Sequence, residues 1–477
     1  MIQSTDIILV APEILLLSMA CLILVVDTFS NDPARRITFA LSQLTLIALT
    51  VLVVYLNTGI TRFAFGNSFV SDNMSVALKV IIFIVTFIVF IYSHEYLKKH
   101  EWVKGEYYVL GLFAVLGMMV MVSAHSLLSV YLGLELLSLS LYSMVAMHRD
   151  SPAASEAAMK YFVLGALASG ILLYGISIFY GITGTFEFSR LTEQISMHSD
   201  QNFLLVFALA FIIVGISFKL GAVPFHMWIP DVYHGAPTAV TLFISSAPKI
   251  AAFAMAIRLL VNGLHPLLLD WQQMLIILAV LSMATGNIIA IAQSNLKRML
   301  AYSTIAHIGF LLLGILSGTG AGFAASMFYV ITYAIMSTGS FGMIILLSRK
   351  GFESDMLDDM KGLADKNPWF AFIMLILMFS LAGVPPFVGF WAKWFVFKEL
   401  ISAGMVWLAA LAVIFSIIGA YYYLRVIKLM YFDKAENMTA IRASRQMRFV
   451  LSLNGLAVLV IGLVPGLLMS LCVVALV

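Results

Sequence analysis

The chain has 477 residues, of which 62% are hydrophobic and 11% charged, with mean hydropathy +1.03 and a formal net charge of +3. No soluble domain of this length carries so little charge, so the composition specifies an all-α polytopic membrane protein. The lipid bilayer is its solvent, and no nucleic-acid partner is expected. The two cysteines, Cys21 and Cys472, lie in apolar spans at opposite ends and imply neither a disulfide framework nor a metal set. No nucleotide loop, cluster motif or haem attachment site is present. Electrons, if they move in this system, move in another subunit.

Windows of about 19 residues give fourteen apolar spans. The first, 8–27, lacks a basic region before it, so no cleavable signal is expected. Spans two and three follow at 36–57 and 74–96; Lys79 lies near the end of span three and reads as a snorkelling side chain. Span four is 106–124. Span five, 126–148, carries Glu135 near its middle in "YLGLELLSLSLY". Span six, 156–181, has Lys160 near its start, where that lysine could also snorkel. Span seven, 203–224, carries Lys219 and then a break at Gly221 and Pro224, with His226 beside it. Span eight, 237–262, reads as continuous and holds Lys249 in "SSAPKIAAFA". Span nine is 272–292. Span ten, 296–317, places His307 about mid-span, with Ser303 and Thr304 as expected partners. Span eleven is 320–348. Span twelve, 368–399, is broken at Gly383, Pro385 and Pro386, and Lys393 follows the break. Spans thirteen and fourteen are 404–432 and 447–474. The connections leave no room for a soluble domain.

Charge asymmetry gives an orientation. The odd-numbered connections hold Arg35, Arg36, Lys98, Lys99, Lys104, Arg149, Lys297, Arg298, Arg349, Lys350, Lys361, Lys366, Lys428, Lys434, Arg442, Arg445 and Arg448. The even-numbered ones hold Arg62, Arg190 and Lys398, with Arg258 near a span end. Cytoplasmic loops carry the excess of Lys and Arg, so the odd connections are expected in the cytoplasm and both termini in the periplasm.

Two stretches recur. "FKLGAVP" (218–224) matches "FSLAGVP" (379–385), which sets Ser380 where the first copy has Lys219. "AAMKYFVLGALAS" (157–169) matches "ASMFYVITYAIMS" (325–337) at nearly the same offset. The unit is five spans, four to eight and nine to thirteen. Five is odd, so the copies are inverted, and matching interrupted spans in such copies point to a transport site. The expected divisions are therefore 1–105 (three helices), 106–262 and 272–432 (the two repeats, with spans seven and twelve discontinuous) and 433–477 (span fourteen).

A charge at the centre of a membrane helix costs at least about 2.5–3.5 kcal/mol, and such residues mark ion or proton paths. Glu135, Lys219, Lys249 and Lys393 are the leading candidates, with Lys160, His307 and His226 behind them. Gly and Pro free backbone groups that lipid cannot satisfy. Such backbone needs a protein-lined or wet site, and so does a buried lysine. If Glu135 and Lys219 approach to about 4 Å, their attraction at an effective dielectric of 20 is about 4 kcal/mol. Pairing would hold the proton on Lys219. Separation would release it through Lys249 and His307 towards Lys393, with waters bridging the gaps.

"LGLELLSLSLYSMVA" (132–146), "FKLGAVPFHMWIPDVYHGAPTAV" (218–240), "APKIAAFA" (247–254), "QSNLKRMLAYSTIAHIGF" (293–310) and "SLAGVPPFVGFWAKW" (380–394) carry a resemblance across essentially the whole chain. It resembles the subunit N family of bacterial NADH–quinone oxidoreductase, the proton-pumping complex I. The resemblance implies a fourteen-helix antiporter-like subunit in the inner-membrane arm, beside an M-type subunit and small membrane subunits. It implies a proton path through Glu135, Lys160, Lys219, Lys249 and Lys393. It also implies that FMN, iron–sulfur clusters and quinone are used by other subunits and none is bound by this chain. The M-type relative usually has glutamate at Lys393, and the L-type adds a lateral helix beyond the last span, where this chain stops at Val477. The D subunit of multisubunit sodium–proton antiporters usually departs from the wording around Glu135. Ile229 and His234 stand where the family would have Thr and Glu or Gln; both are expected in the turn after span seven, away from the path. The competing readings are an antiporter subunit without a redox partner and a structural protein whose buried charges only fix packing.

Overall fold

The computed structural model describes residues 4–197, 202–434, 441 and 443–476. Arg442, counted above among the basic residues, lies outside them. A short helix α1 (Ser4–Leu9) leads into α2 (Ala11–Thr28) and α3 (Arg36–Leu56). An antiparallel hairpin then pairs β1 (Arg62–Ala64) with β2 (Phe69–Ser71), Arg62 opposite Ser71. Next come α4 (Asn73–Lys99), α5 (Glu106–Val122), α6 (Leu127–Val145), α7 (Pro152–Thr183) and α8 (Phe188–Met197). They are followed by α9 (Asn202–Leu220), α10 (Trp228–Gly235), α11 (Thr238–Ile244) and α12 (Ala247–Ala256), which runs on into a π turn, Ile257–Gly263. The remainder is α13 (Leu268–Ile291), α14 (Leu296–Leu316), α15 (Gly320–Leu347), α16 (Leu363–Lys366), α17 (Pro368–Ala382), α18 (Val388–Ser402), α19 (Val406–Phe432), α20 (Arg445–Leu463) and α21 (Pro465–Leu476).

Among the described residues twelve helical stretches are long and apolar enough to cross a membrane. Three further apolar helices, Glu106–Val122, Pro368–Ala382 and Pro465–Leu476, are shorter. Burial sorts them into a core and a ring. The stretch from Thr238 to Leu260 is fully buried and α14 and α15 nearly so, whereas about two thirds of α2, α7, α19 and α20 faces outward. Outward leucines, valines and phenylalanines on that ring suit lipid, because a bilayer penalises unsatisfied polar groups rather than exposed apolar ones.

Helix starts follow capping chemistry. Asp72 accepts the Ser75 N–H while the Ser75 hydroxyl accepts from the Asp72 N–H, closing a capping box on α4. Ser126, Asn295 and Thr319 cap α6, α14 and α15. Ser151 with Pro152 after it starts α7 at 152, earlier than the expected 156.

Several helix pairs approach at glycine, two of them in matching fashion. A Cβ on Gly117 of α5 would strike the Gly133 carbonyl and the Leu137 backbone of α6. A Cβ on Gly286 of α13 would strike the Tyr302 carbonyl and the Ala306 backbone of α14. Only the missing side chain lets these backbones touch.

The structure corrects three expectations. The stretch expected as a continuous span eight is interrupted at Ser245–Ser246, between α11 and α12. Span fourteen is likewise divided at Val464 between α20 and α21. Ile229 and His234 do not lie in a turn: both are on α10, and Ile229 is fully buried with its Cδ1 over Gly221.

Candidate functional site

Both expected breaks are present, and their backbone groups can be accounted for. After Leu220, Gly221 turns left-handed at φ +88°, and the N–H groups of Gly221 and Ala222 both donate to the Ser217 carbonyl, at 2.7 and 2.8 Å. Val223 N–H donates to the Ser282 hydroxyl at 2.9 Å, and the Trp228 indole N–H to the Phe218 carbonyl at 2.9 Å. The Leu220 carbonyl accepts from Lys249 Nζ at 2.8 Å. At the second break Gly383 has the same φ, +88°, and the N–H groups of Gly383 and Val384 converge on the Phe379 carbonyl. Here Lys393 Nζ donates to the Ala382 carbonyl at 2.9 Å and to the Ser416 hydroxyl at 2.9 Å. Each lysine also lies over an aromatic ring, Lys249 over Trp228 and Lys393 over Phe310, both at 5.1 Å from the centroid.

A buried cation at the C-terminal end of a half-helix is favourable because the freed carbonyls there are the negative end of the helix dipole. Lys249 and Lys393 therefore complete the broken helices directly; no cavity is needed between lysine and break. The left-handed glycines also fix the register of the two breaks. Gly221 matches Gly383, one residue off the sequence match, so Leu381 and not Ser380 stands opposite Lys219. Ser380 instead accepts the Gly389 N–H at 3.0 Å.

Lys219, on the last turn of α9, is buried and donates to the Ser138 hydroxyl of α6 at 2.9 Å. Glu135, half-buried one turn before Ser138, accepts from the Ser169 hydroxyl of α7. Of the two arrangements considered for Glu135 and Lys219, this structure has the separated one: Ser138 takes the ammonium, and the carboxylate lies beyond 4.0 Å. A small pocket lined by Ser138, Tyr142, Ser169 and Lys219 occupies this place. His307 is buried on α14, with Nδ1 2.6 Å from the Tyr329 hydroxyl and Nε2 3.1 Å from that of Tyr423. Ser303 and Thr304 are not its partners; they bond the hydroxyls of Tyr423 and Tyr333, at 2.5 and 2.7 Å.

Two predicted residues fall outside this group. Lys160 is partly exposed and pairs with Glu156 and Asp231, each at 2.8 Å, while Arg298 holds the other Asp231 oxygen at 3.0 Å. His226 lies in the break, and its buried Nδ1 makes no hydrogen bond. Pro224, Pro385 and Pro386 are exposed.

Other buried charges were not anticipated. Lys79 does not snorkel: it is buried and pairs with Glu13 of α2 at 2.5 Å. Arg258 grips Asp72 with both terminal nitrogens, at 2.7 and 2.8 Å. Lys297 is buried and donates to the Ala236 carbonyl at 2.8 Å. An acidic residue inside the first apolar span, Glu13, was the one available sequence signal for the first of these. Among the described residues no group of three or more His, Cys, Asp or Glu is placed to hold a metal.

Broken helices whose freed carbonyls are met by buried lysines define an antiporter-like membrane subunit. The family described as NADH:quinone oxidoreductase/Mrp antiporter matches residues 124–419. NADH-quinone oxidoreductase subunit N of Thioalkalivibrio sulfidiphilus is 59% identical over 97% of this chain and 96% of its own length. That of Herminiimonas arsenicoxydans is 54% identical over 100% and 99%. Among solved structures, a chain of respiratory complex I from Thermus thermophilus with bound aureothin superposes with a TM-score of 0.82 at 31% identity, covering 96% of this chain and 98% of that one. A chain of the Mrp complex from Dietzia sp. DQ12-45-1b shares the fold, with a TM-score of 0.86 at 20% identity over 99% and 97%. The chain belongs to the subunit N family of NADH-quinone oxidoreductases.

Proposed function

We propose that this chain is a proton-translocating subunit in the membrane arm of a bacterial complex I. On this reading protons move from cytoplasm to periplasm through Glu135, Lys219, Lys249, His307 and Lys393. NADH oxidation, with its flavin, iron–sulfur clusters and quinone, takes place in neighbouring subunits and drives the transfer. The observation that carries the reading is the bonding of the three buried lysines. Lys219, Lys249 and Lys393 each donate only to neutral oxygens, a serine hydroxyl or a main-chain carbonyl, with no carboxylate within 4.0 Å among the described residues. A structural ion pair would supply a counter-ion, as Glu13 does for Lys79. An ammonium held by neutral acceptors can give its proton up without leaving a buried carboxylate unpaired.

The architecture goes with this function. The fourteen spans comprise the twelve long helices, α5, and the broken pair α17–α18. Spans four to eight and nine to thirteen form inverted repeats. The glycine contacts support that division, since Gly117 and Gly286 meet residues of their partner helices at one constant offset. The odd connections face the cytoplasm and the termini the periplasm. Lys160, at the cytoplasmic edge, acts by tying α7 to α10 and not as a carrier in the membrane.

The test is coupled pumping by the intact complex in proteoliposomes. Lys219→Ala and Lys393→Ala should each lower NADH-driven proton translocation by about a hundredfold or more, the scale of losing one proton-transfer group. Unchanged translocation in both variants would discard the path.

A further inference from the structure

Apart from the lysine row, the molecule holds a cavity of about 360 Å3. Five parts of the chain build its wall: His100 after α4, His148 and Ser151 between α6 and α7, His234 at the end of α10, Lys297 at the start of α14, and Glu353 and Asp355 after α15. All five belong to the odd-numbered, Lys- and Arg-rich set, so the cavity lies on the face assigned above to the cytoplasm.

Glu353 joins this cavity to the interior. Its side chain is about one third exposed. One carboxylate oxygen accepts from the Tyr96 hydroxyl, and the other accepts from the Thr238 hydroxyl at 2.8 Å. Thr238 opens α11 and is fully buried. Thr241 and Ser245 follow three and seven residues later, on the same helix face, and are also fully buried. Ser245 stands at the interruption of the helix, and Lys249 lies just beyond it on α12. Thr238 and Ser245 are about 10 Å apart along α11 at 1.5 Å per residue. Thr241 and Ser245 donate to the Tyr233 and Leu242 carbonyls, at 2.9 and 3.1 Å, which leaves their hydroxyl oxygens free to accept. Lys297 fixes the chain entering α11 through the Ala236 carbonyl.

We propose that this cavity is a proton intake that joins the path at Lys249, and that Glu353 loads the hydroxyl face of α11, which delivers there. The proposal rests on the lysine-row reading. In each cycle Glu353 takes a proton from cavity water and passes one to Thr238. Each hydroxyl accepts one proton and gives up its own, with waters filling the steps of roughly 5 Å between them. Lys249 Nζ gains the proton, and the hydroxyls end unchanged. His100, His148 and His234 stand around the mouth, with His100 Nε2 3.9 Å from a Glu353 carboxylate oxygen.

The test uses the complete complex in proteoliposomes, with assembly confirmed by its NADH oxidation with an artificial acceptor. Glu353→Gln and Thr238→Val should each slow proton translocation by about tenfold, and Glu353→Asp and Thr238→Ser should restore most of it. A purely structural Glu353 would predict no loss in Thr238→Val, and native pumping by that variant overturns the proposal. If the Glu353→Gln complex does not assemble, the Thr238 pair decides. Lys249→Ala separates the two levels. If it stops pumping while Glu353→Gln and Thr238→Val pump normally, the intake alone is wrong; if it also pumps normally, the lysine row is wrong. A second measurement uses His148→Cys in a chain with Cys21 and Cys472 changed to serine. A charged, membrane-impermeant thiol reagent should label it from the cytoplasmic side and slow pumping, and protection on that side counts against the proposal.

Discussion

The buried lysines differ in what holds them, and their partners tell them apart. Lys79 is held by a carboxylate, Glu13, at 2.5 Å, with Phe69 beneath it. Lys249 and Lys393 are held by carbonyls that a helix break has released. A buried ion pair is costly to open from one side, because the remaining charge is stranded. Lys79→Met should therefore destabilise the protein by about 3–5 kcal/mol, whereas the double change Lys79→Met with Glu13→Leu should recover most of that loss and still pump. Thermal unfolding of the purified complex, followed with pumping, checks both; equal loss in the single and double variants would show that the pair is not the cause. Lys219, Lys249, Lys393, Glu135 and His307 stand out in the sequence because a polar residue deep in an apolar run has few bland explanations. The burial of Lys297 and the pairing of Lys79 do not, because residues near span ends can snorkel. The tyrosines around His307 gave no signal, since tyrosine is common in membrane helices for its apolar body.

At the scale of helices the two breaks share one design. A left-handed glycine turns the chain, two N–H groups converge on one carbonyl, and a distant lysine takes a carbonyl left over. Gly and Pro announced these breaks in the sequence. The interruption at Ser245–Ser246 was not announced, because serine is compatible with a helix and only the packing of α11 and α12 decides the matter. Gly221→Ala should be poorly tolerated for two reasons: the left-handed conformation costs an L-residue about 1–2 kcal/mol, and the new methyl meets Ile229 Cδ1. Adding Ile229→Val should recover only part of the loss, because it removes the collision and leaves the backbone cost. The measurement is the melting temperature of the two variant complexes, and full recovery would show that strain at Gly221 is negligible.

At the scale of the molecule, charged contacts join parts of the chain far apart in sequence. Asp231 holds α10 to both α7 and α14 through Lys160 and Arg298. Asp72 and Arg258 tie the start of α4 to the π turn after α12. Burial pushes the Asp72 carboxyl up, but the charge and hydrogen bonds of Arg258, together with Ser75, bring it below the ordinary carboxylate value. A carboxyl depressed on folding contributes stability above its unfolded value, about 3.9, and loses it as pH falls through the folded value. The native complex should therefore show no change from this pair between pH 7 and 5 and should weaken below about pH 4. Asp72→Asn should be less stable at neutral pH and show a shallower acid limb in thermal unfolding. An unchanged limb would mean that the pair does not couple to folding.

The sequence by itself determined the class of the protein, most of its apolar helices, the two Gly/Pro breaks and the charged residues that apolar runs cannot explain, since all of these are local consequences of hydrophobicity and backbone chemistry. Only the tertiary structure decided which oxygen each lysine meets, that Ser138 and not Glu135 takes Lys219, and that Lys79 is paired while Lys249 and Lys393 are not. Those outcomes depend on which helices lie side by side. Hydropathy carries no record of neighbours, because every helix in this bundle is apolar and the polar groups choosing among partners are few and far apart along the chain.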